Sequence, residues 1–317
     1  MAPIRVAVLG AGYWGTKLCR EYAGIEGSTR EASLSMVVDS SEAALEAVRA
    51  QVGRAGRVFS RDYQNALRDR SVDVVHVALP SPLHYEVARS ALEGGKHVLL
   101  EKPMALSSRE AYKLASLAEE QGLMLQVGHI FRFNAALRMV RQMLHRGRIG
   151  RVYYATLEWT TDDIPSGERD IVFDLAPHPI DVLNYLLDEW PYGVDAVGGS
   201  YRRNREVLEE VAFVNLEFPD RVVANVYLSW IQHDGKNRLV RIVGSEGTVI
   251  CDALNQVVTM YTSRGTSDIP QALFPKLGLN NGDGGWHGKL EDDPPGPNNT
   301  IRDMELHFID AVRGRAP

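Results

Sequence analysis

Short, mainly apolar runs recur through the first 128 residues, separated by stretches in which apolar residues return at helical spacing. The runs lie at 6–9, 34–38, 72–79, 97–100 and 123–127. Each has the length of one buried strand, and the stretch 41–52 between two of them has the periodicity of an amphipathic helix. Strands that alternate with helices over short connections are typical of a parallel sheet with right-handed crossovers. Residues 1–128 are therefore predicted to form a doubly wound α/β domain.

Beyond residue 128 the strand-like stretches follow one another, which indicates an antiparallel sheet. In the clearest pair, alternate residues are apolar: Ala212, Val214, Leu216, Phe218, Val222, Ala224, Val226, Leu228 and Trp230. A second hairpin is predicted around 244–247, a long loop over the glycine- and proline-rich residues 275–300, and a final helix over 301–312. We expect residues 129–317 to form an α+β domain on a large, mainly antiparallel, open sheet.

The second face of the clearest strand pair is mixed. Val211, Phe213, Val223 and Tyr227 stand there among polar residues. Such a face is neither a clean solvent face nor a core, so we expect another subunit to cover it. The sequence thus predicts a homodimer or homotetramer that forms through the C-terminal sheet.

Two local signals predict where helices begin. Ser107 with Glu110 three residues later is a capping-box pattern for a helix that ends at Gly122. Asn134 is a favourable N-cap for a further helix that continues to His145.

Composition limits the class of protein. The 317 residues are 44% hydrophobic and 24% charged, with a net charge of −6, which argues against a nucleic-acid partner or an anionic membrane surface. The two cysteines, Cys19 and Cys251, fall in different predicted domains, so neither a disulfide framework nor a thiolate metal site is expected. With no export signal and no apolar stretch of about 20 residues, the sequence favours a cytoplasmic protein.

The first apolar run leads directly into a glycine-rich turn, IRVAVLGAGYWG at 4–15. Gly10 allows a sharp turn off the strand, Gly12 allows bare backbone to approach a pyrophosphate, and Gly15 allows the next helix to pack closely. The N-H groups at that helix N-terminus would face the phosphates. The motif alone is weak, but a strand before it and a helix after it predict a Rossmann dinucleotide-binding domain.

An acidic residue follows the second strand at the expected distance. Asp39 lies 24 residues beyond Gly15, near the spacing at which a carboxylate binds the adenine ribose hydroxyls. Such a carboxylate repels a 2′-phosphate, so NAD is favoured over NADP as the cofactor. The alternative is that Asp39 is only a turn residue at a strand end.

Lys102 follows another short buried strand, within Glu101-Lys102-Pro103. Its position at the carboxyl end of a parallel strand is the edge at which open α/β sheets bind ligands. A charged lysine there could hydrogen-bond a reacting oxygen and favour a developing alkoxide. The alternative is a surface lysine in a turn.

A second candidate for chemistry is the pair Asp174 and His178, four residues apart and on one face if the stretch is helical. The intervening Pro177 is typical of a helix start. Oxidation of a hydroxyl by NAD needs a group that takes the proton, and imidazole has an ordinary pKa near neutrality. Asp174 could orient the ring or pass the proton on. The alternative is an acid at a helix start beside a histidine with a structural role. No metal is predicted.

Six features occur in one order along nearly the whole chain. They are GAGYWG at 10–15, Asp39, LPSPLHYE at 79–86, EKP at 101–103, GHIFRFN at 128–134 and DLAPHPID at 174–181. Together they resemble the Gfo/Idh/MocA oxidoreductases, the group of glucose-fructose oxidoreductase and inositol dehydrogenase. The resemblance implies a two-domain fold, oligomers through the open sheet, and catalytic roles for Lys102, Asp174 and His178.

The resemblance also implies binding residues. Besides the three glycines and Asp39, it indicates cofactor contacts at Tyr13, Trp14, Ser40, Leu79, Pro80, His84, Glu101 and Lys102. Candidate substrate contacts are His129, Arg132, Asn134, Arg169, Asp170 and His178. Arginine suits a diphosphate because its planar fork makes two parallel charged hydrogen bonds. The segment at 173–178 looks most similar to members that act on nucleotide-linked sugars, such as UDP-N-acetylglucosamine 3-dehydrogenases. Such chains usually continue past the final helix, which raises the hypothesis that a terminal packing element is missing here.

The first interpretation is an NAD-dependent dehydrogenase that oxidises a secondary hydroxyl of a sugar, cyclic polyol or nucleotide-linked sugar. One alternative is the reverse reaction, by an NAD(P)H-dependent 3-keto-sugar reductase. Another is an NAD-using glycosidase, which oxidises, eliminates and re-reduces its substrate without net NADH. A sensor without catalysis is disfavoured, because it has no use for Lys102, Asp174 and His178 together.

Overall fold

The structure, a computed structural model, describes residues 2–54, 56–165, 170–202, 208–262 and 299–316, together with the backbone of Gly285–Lys289. Packing divides the chain into two units. The first unit comprises Met1–Ile130 and Asn299–Pro317, and the second comprises Phe131–Asn298. The C-terminal segment thus joins the first unit, whereas the sequence-based boundary assigns it to the second domain.

The first unit contains a six-stranded sheet flanked by helices. Its strands are β1 Ile4–Leu9, β2 Ala32–Val38, β3 Val58–Ser60, β4 Val74–Val77, β5 His97–Leu100 and β6 Leu125–Val127. The intervening helices are α1 Tyr13–Ser28, α2 Glu42–Val52, α3 Gln64–Arg68, α4 His84–Glu93 and α5 Ser108–Gln121. The strand order is β3-β2-β1-β4-β5-β6, with parallel pairing throughout. The predicted doubly wound parallel sheet is confirmed, and its order reverses between β1 and β4, the point at which such sheets bind ligands.

The predicted helix signals of both units are present. The Ser107 hydroxyl accepts a hydrogen bond from the backbone N-H of Glu110, and Gly122 ends α5 in the left-handed conformation. Asn134 caps α6, Ala135–His145, by accepting from the backbone N-H of Leu137. These caps satisfy N-H groups that the helix itself leaves unpaired.

The C-terminal helix, α9 Thr300–Val312, packs against α1 of the first unit. Its Met304 and Phe308 side chains are fully buried. Just beyond it, the Arg313 guanidinium donates to the carbonyl oxygens of Ala2 and Glu31 at 3.0 and 2.9 Å. These contacts tie the end of the chain to the start of the parallel sheet.

The second unit is built on an eight-stranded sheet. Its strands are β7 Val152–Thr160, β8 Gly193–Gly199, β9 Val211–Glu217, β10 Val223–Ser229, β11 Asn237–Gly244, β12 Gly247–Asp252, β13 Val257–Thr262 and β14 Gly285–Lys289. The order is β14-β13-β12-β11-β7-β10-β9-β8, and among the described strands the pairing is antiparallel except between β7 and β10. The predicted large, mainly antiparallel sheet is confirmed.

One face of this sheet is the core of the second unit. All nine side chains predicted to be buried in the β9–β10 pair are at most 8% exposed. Helix α8, Pro177–Leu187, contributes Val182, Leu183 and Leu186 to the same core. The alternation of apolar residues along these strands therefore fixes which face the helices cover.

The predicted loop over 275–300 is wrong at one place. Gly285–Lys289 pairs with β13 as an antiparallel edge strand, while 275–284 and 290–298 lie outside the described residues. Both cysteines are free and buried, one in each unit. Within the described part of the chain, no helix combines the length and apolarity needed to span a membrane.

Candidate active site

The turn after β1 requires glycine at two positions and has space for a side chain at a third glycine. Gly10 has a φ of 101°, and a Cβ there would overlap the carbonyl oxygen of Ala78. A Cβ on Gly15 would overlap the carbonyl oxygen of Gly10, because α1 starts directly over the turn. At Gly12, by contrast, a Cβ would meet nothing within 4 Å. Bare backbone at a helix N-terminus fits the pyrophosphate of NAD.

Asp39 joins the end of β2 to this turn. Its Oδ2 atom accepts a hydrogen bond from the backbone N-H of Ala11 at 2.7 Å, and its Oδ1 atom accepts from Ser41 at 2.8 Å. The Ser41 contact is the strand-end turn that the alternative interpretation expects. The Ala11 contact places the same carboxylate beside the glycine turn, where the NAD interpretation requires an acid.

Three further predicted cofactor contacts, Tyr13, Trp14 and Ser40, lie next to the glycine turn and Asp39 in sequence. Tyr13 is 80% exposed at the start of α1, and its hydroxyl accepts a hydrogen bond from Nζ of Lys17 at 2.8 Å. Ser40 is exposed, and Trp14 is half-buried. Tyr13 and Ser40 therefore have surface available for a ligand.

Five predicted cofactor positions follow β4 and β5: Leu79, Pro80, His84, Glu101 and Lys102. The His84 ring is buried, with its nitrogens 2.8 Å from the carbonyl oxygen of Leu79 and 2.7 Å from that of Pro103. Glu101 is buried and lies 3.3 Å from Nε2 of His76. His84 and Glu101 thus contact protein groups, and their cofactor contacts stay predictions. Lys102, directly after Glu101, is half-buried.

Asp174 and His178 lie on consecutive helices of the second unit. Asp174 belongs to α7, Ile171–Leu175, and His178 belongs to α8. The joining residue, Ala176, has helical angles of φ −58° and ψ −31°, and Pro177 is the first residue of α8. The predicted helical spacing is therefore present, and both side chains are half-buried.

Aromatic rings position His178. Its ring packs edge-to-face on Phe131 with centroids 5.2 Å apart, and Phe131 packs in the same way on the buried Trp159. The Arg238 guanidinium lies 5.7 Å from the Trp159 ring and is itself buried. Burial lowers the pKa of Arg238 to about 10, while the negative charge of Asp174 opposes this shift. The charges of Arg238 and Asp174 therefore interact within the second unit.

Two of the candidate substrate residues are engaged within the second unit. Asn134 is fully buried, and besides capping α6 it donates to the carbonyl oxygen of Ala253 at 2.8 Å. Asn134 thus has a packing and capping role, and its substrate contact stays a prediction. Arg132 makes a two-pronged contact with the carboxylate of Asp181 and a further one, at 2.8 Å, with Asn184.

Three candidate substrate residues remain: Asp170, His129 and Arg169. Asp170 caps α7 by accepting from the backbone N-H of Val172 at 2.7 Å, and it also faces the backbone of Glu209 at 3.3 Å. His129 is half-buried at the end of the first unit. Arg169 lies outside the described residues.

Sequence reasoning missed two buried polar residues near the candidate groups. Arg238 occupies the position on β11 that continues the buried series Val240 and Ile242, so the alternation along the strand marks it as a charged residue on a core face. Tyr22 likewise falls on the buried face of α1, next to Cys19. A polar residue at an apolar position was the available signal in both cases.

A doubly wound sheet whose first turn leaves bare backbone under a helix N-terminus, with an acid at the next strand end, defines a dinucleotide-binding protein. Residues 4–129 match the model of an oxidoreductase family with an NAD-binding Rossmann fold, and residues 137–250 match the GFO/IDH/MocA C-terminal domain. The chain belongs to the Gfo/Idh/MocA family of oxidoreductases, and its first unit is an NAD-binding domain.

Two of the relatives are named for activities on sugar derivatives. A 1,5-anhydro-D-fructose reductase from Ensifer adhaerens is 28% identical over 217 residues, which cover 64% of this chain and 65% of the relative. A UDP-N-acetylglucosamine 3-dehydrogenase from Acidithiobacillus ferrooxidans is 29% identical over 271 residues, 85% of this chain and 80% of the relative. Levoglucosan dehydrogenase in complex with NADH and levoglucosan has the same fold, with a TM-score of 0.82 at 19% identity over 99% of this chain and 91% of that one.

Proposed function

We propose that this chain is an NAD-dependent dehydrogenase that oxidises a secondary hydroxyl of a sugar or cyclic polyol. The observation that carries the proposal is the placement of Asp174 and His178 four residues apart on one helical run. The same chain has an NAD-binding domain with Lys102 at the carboxyl end of β5. Names of relatives, a reductase and a dehydrogenase of sugar derivatives, support the substrate class.

The proposed roles follow from the chemistry of each side chain. NAD, when bound, supplies the acceptor for the hydride. His178 takes the hydroxyl proton, a task for which the ordinary pKa of imidazole is suited. Asp174 orients the imidazole ring or relays its proton. Lys102 donates a hydrogen bond to the reacting oxygen and stabilises negative charge that develops there.

A nucleotide-linked sugar is the finer form of this proposal. The UDP-N-acetylglucosamine 3-dehydrogenase aligns over most of both chains, and the segment at 173–178 resembles that subgroup. A diphosphate needs cationic partners, and Arg132 keeps 38% of its side chain exposed beside Asp181. The competing candidate is the reverse reaction, the reduction of a keto-sugar. The name of the related 1,5-anhydro-D-fructose reductase supports it.

We also propose that a second copy of the chain covers the outer face of the second unit's sheet. Val223, Tyr154, Val243, Thr248 and Tyr261 are cross-strand neighbours in one row of that face. Three of them are large apolar or aromatic residues that are 41% to 51% exposed: Val223, Tyr154 and Tyr261. A row of such side chains on a sheet face is typical of an interface between subunits.

The experiment begins with native mass spectrometry of the purified protein, which identifies a retained cofactor or sugar nucleotide. A panel of sugars, polyols and nucleotide sugars is then tested with NAD and NADP for a change in nicotinamide absorbance. Net NADH formation supports the dehydrogenase, and oxidation of NADH or NADPH by keto-sugars supports the reductase. Product formation without net NADH indicates the glycosidase mechanism, and NAD binding without any turnover contradicts all three.

A further inference from the structure

The turn that carries Lys102 is held on both sides by buried histidines of the first unit. Glu101, the residue before the lysine, has its Oε1 atom 3.3 Å from Nε2 of His76 on β4. The carbonyl oxygen of Pro103, the residue after the lysine, lies 2.7 Å from Nδ1 of His84 on α4. The two imidazoles belong to residues that are 0% and 1% exposed. The lysine thus stands between two neighbours that are each anchored in the core.

The donor and acceptor roles in the hydrogen bonds of the His76 ring follow from its two neighbours, Tyr22 and Glu101. Its Nδ1 atom lies 3.2 Å from the hydroxyl of Tyr22, which is fully buried on α1. Burial raises the pKa of Tyr22 well above its ordinary value, with further contributions from Glu305, Cys19 and Glu101. The hydroxyl therefore keeps its proton and donates it to Nδ1. The ring proton then lies on Nε2 and faces the Glu101 carboxylate.

The position of the Glu101 carboxylate also depends on Gly128, which has no side chain. A Cβ at Gly128 would come within 3.0 Å of both carboxylate oxygens of Glu101, so a side chain there would press the carboxylate out of place. The backbone N-H of Glu101 donates to the carbonyl oxygen of Val77 at 3.0 Å. Backbone and side chain of Glu101 are therefore both fixed, directly before the lysine.

His84 connects two loops of the same sheet edge. Its Nε2 atom lies 2.8 Å from the carbonyl oxygen of Leu79, in the loop after β4, and its Nδ1 atom contacts Pro103 in the loop after β5. These strands are parallel neighbours, so both loops leave the edge at which such sheets bind ligands. A ring that contacts both loops fixes the backbone from which the Lys102 side chain starts.

We propose that His76 and His84 are positioning residues for Lys102, acting through Glu101 and Pro103 respectively. The inference rests on the proposed function, in which the lysine binds the reacting oxygen. Lysine carries its charge on a flexible four-carbon stem, so the ammonium is placed only if the backbone below it is fixed. A displacement of about 1 Å at a reacting centre costs about 100-fold in rate. The two anchors supply that fixed backbone.

Lysine labelling tests the positioning without a substrate. Amine acetylation rates are measured by mass spectrometry on the full chain for the wild type, His84→Asn and Tyr22→Phe. The Tyr22→Phe variant keeps the ring that packs edge-to-face on His76, at 5.8 Å and 87°, and removes only the hydroxyl. We expect the labelling rate of Lys102 to rise several-fold in both variants as the turn loosens, while that of the exposed Lys113 on α5 stays unchanged.

A kinetic cycle tests whether the effect passes through the lysine. We expect His84→Asn to lower kcat by about 10- to 100-fold, with KM for NAD within about twofold, and to add nothing further to Lys102→Ala. His145→Ala, an exposed histidine on α6, is the matched control. Effects that multiply in the double variant overturn the proposal, as does wild-type labelling of Lys102 in both His84→Asn and Tyr22→Phe. If the wild type oxidises no sugar, the proposed function fails while labelling still decides the positioning.

Discussion

The carboxylate of Asp39 accepts a hydrogen bond from the backbone N-H of Ala11 at 2.7 Å, which joins the end of β2 to the glycine turn. An adenine ribose bound there meets a negative charge, which favours a free 2′-hydroxyl over a 2′-phosphate. We expect Asp39→Ala to lower kcat/KM for NAD by about 10- to 100-fold, the worth of one or two charge-assisted hydrogen bonds. Initial rates with NAD and NADP also show whether the preference for NAD is relaxed.

Asp73 is the matched control for this variant. Its carboxylate accepts a hydrogen bond from the backbone N-H of Arg5 at 2.8 Å, but it lies before β4, at the amino end of the strands. Asp73→Ala should leave the ratio of NAD to NADP activity unchanged. A wild-type ratio in Asp39→Ala would contradict the assignment of Asp39 to the ribose.

Gly12 and Gly15 are expected to respond differently to the same substitution. A Cβ at Gly15 overlaps the Gly10 carbonyl, so Gly15→Ala should lower the free energy of unfolding by about 1–3 kcal/mol. Gly12 has a φ of −69° and open space around a Cβ, so Gly12→Ala should change stability by less than about 0.5 kcal/mol. It should nevertheless raise the Kd for NAD by about tenfold or more, because the methyl group occupies the pyrophosphate position. Denaturation and NAD titration separate the two effects, and wild-type NAD affinity in Gly12→Ala would refute the proposed cradle.

Glu305 predicts a pH dependence of stability. It is fully buried on α9, and neither carboxylate oxygen has a hydrogen-bond partner among the described residues. Burial raises its pKa well above the ordinary value of 4.5, and Glu21 and Glu101 add to the rise. The folded state therefore keeps a proton that the unfolded state loses. The associated stability is complete below the unfolded pKa and is lost as pH rises through the folded one, by at most about 1.4 kcal/mol per pH unit.

Glu305→Gln removes this titration. Denaturant unfolding of the wild type and the variant between about pH 5 and pH 8 should show a difference in free energy that grows in favour of the variant as pH rises. Glu120→Gln, exposed on α5, controls for the loss of one acidic group. A wild-type-to-variant difference that stays constant over this range would mean that Glu305 does not retain its proton in the folded state.

The outer sheet face makes a prediction about assembly. Phe213 is 43% exposed there and stacks on Tyr227 with centroids 4.9 Å apart and an interplanar angle of 8°. If a second copy covers this face, Phe213→Asp should weaken association by about 30-fold or more, as expected for a buried aromatic anchor. Light scattering across a dilution series measures this against Tyr112→Asp, an exposed aromatic position on α5. A wild type that is monomeric at all concentrations contradicts the proposed interface.

The parallel sheet could be predicted from the sequence because its strands are buried on both faces. Val6–Leu9 of β1 are all 0% exposed, so the strand is a continuous apolar run. The alternation in β9 and β10 was equally informative, since one face of that sheet is a core. In both cases the pattern of apolar side chains shows which residues form strands and which faces of the sheet are buried.

Other features depend on contacts that leave no local pattern. Edge strand β14 contains glycines and is held by backbone pairing with β13, so the sequence has no periodicity to detect there. The group formed by Tyr22, His76 and Glu101 joins residues 54 and 25 positions apart, and only the strand order brings them together. Asn134 and Arg132 suit ligand recognition by type, but whether a polar side chain meets protein or ligand is decided by the packing around it.

We propose that a sugar hydroxyl is oxidised on this chain and that the reaction depends on both Lys102 and His178. The most direct measurement is single-turnover formation of NADH with excess enzyme, for the best substrate of the panel, in the wild type, Lys102→Ala and His178→Asn. The account predicts one NADH per sugar in the wild type and rates lowered by about 10²- to 10⁴-fold in each variant with NAD still bound. NADH formation at the wild-type rate in either variant would contradict it.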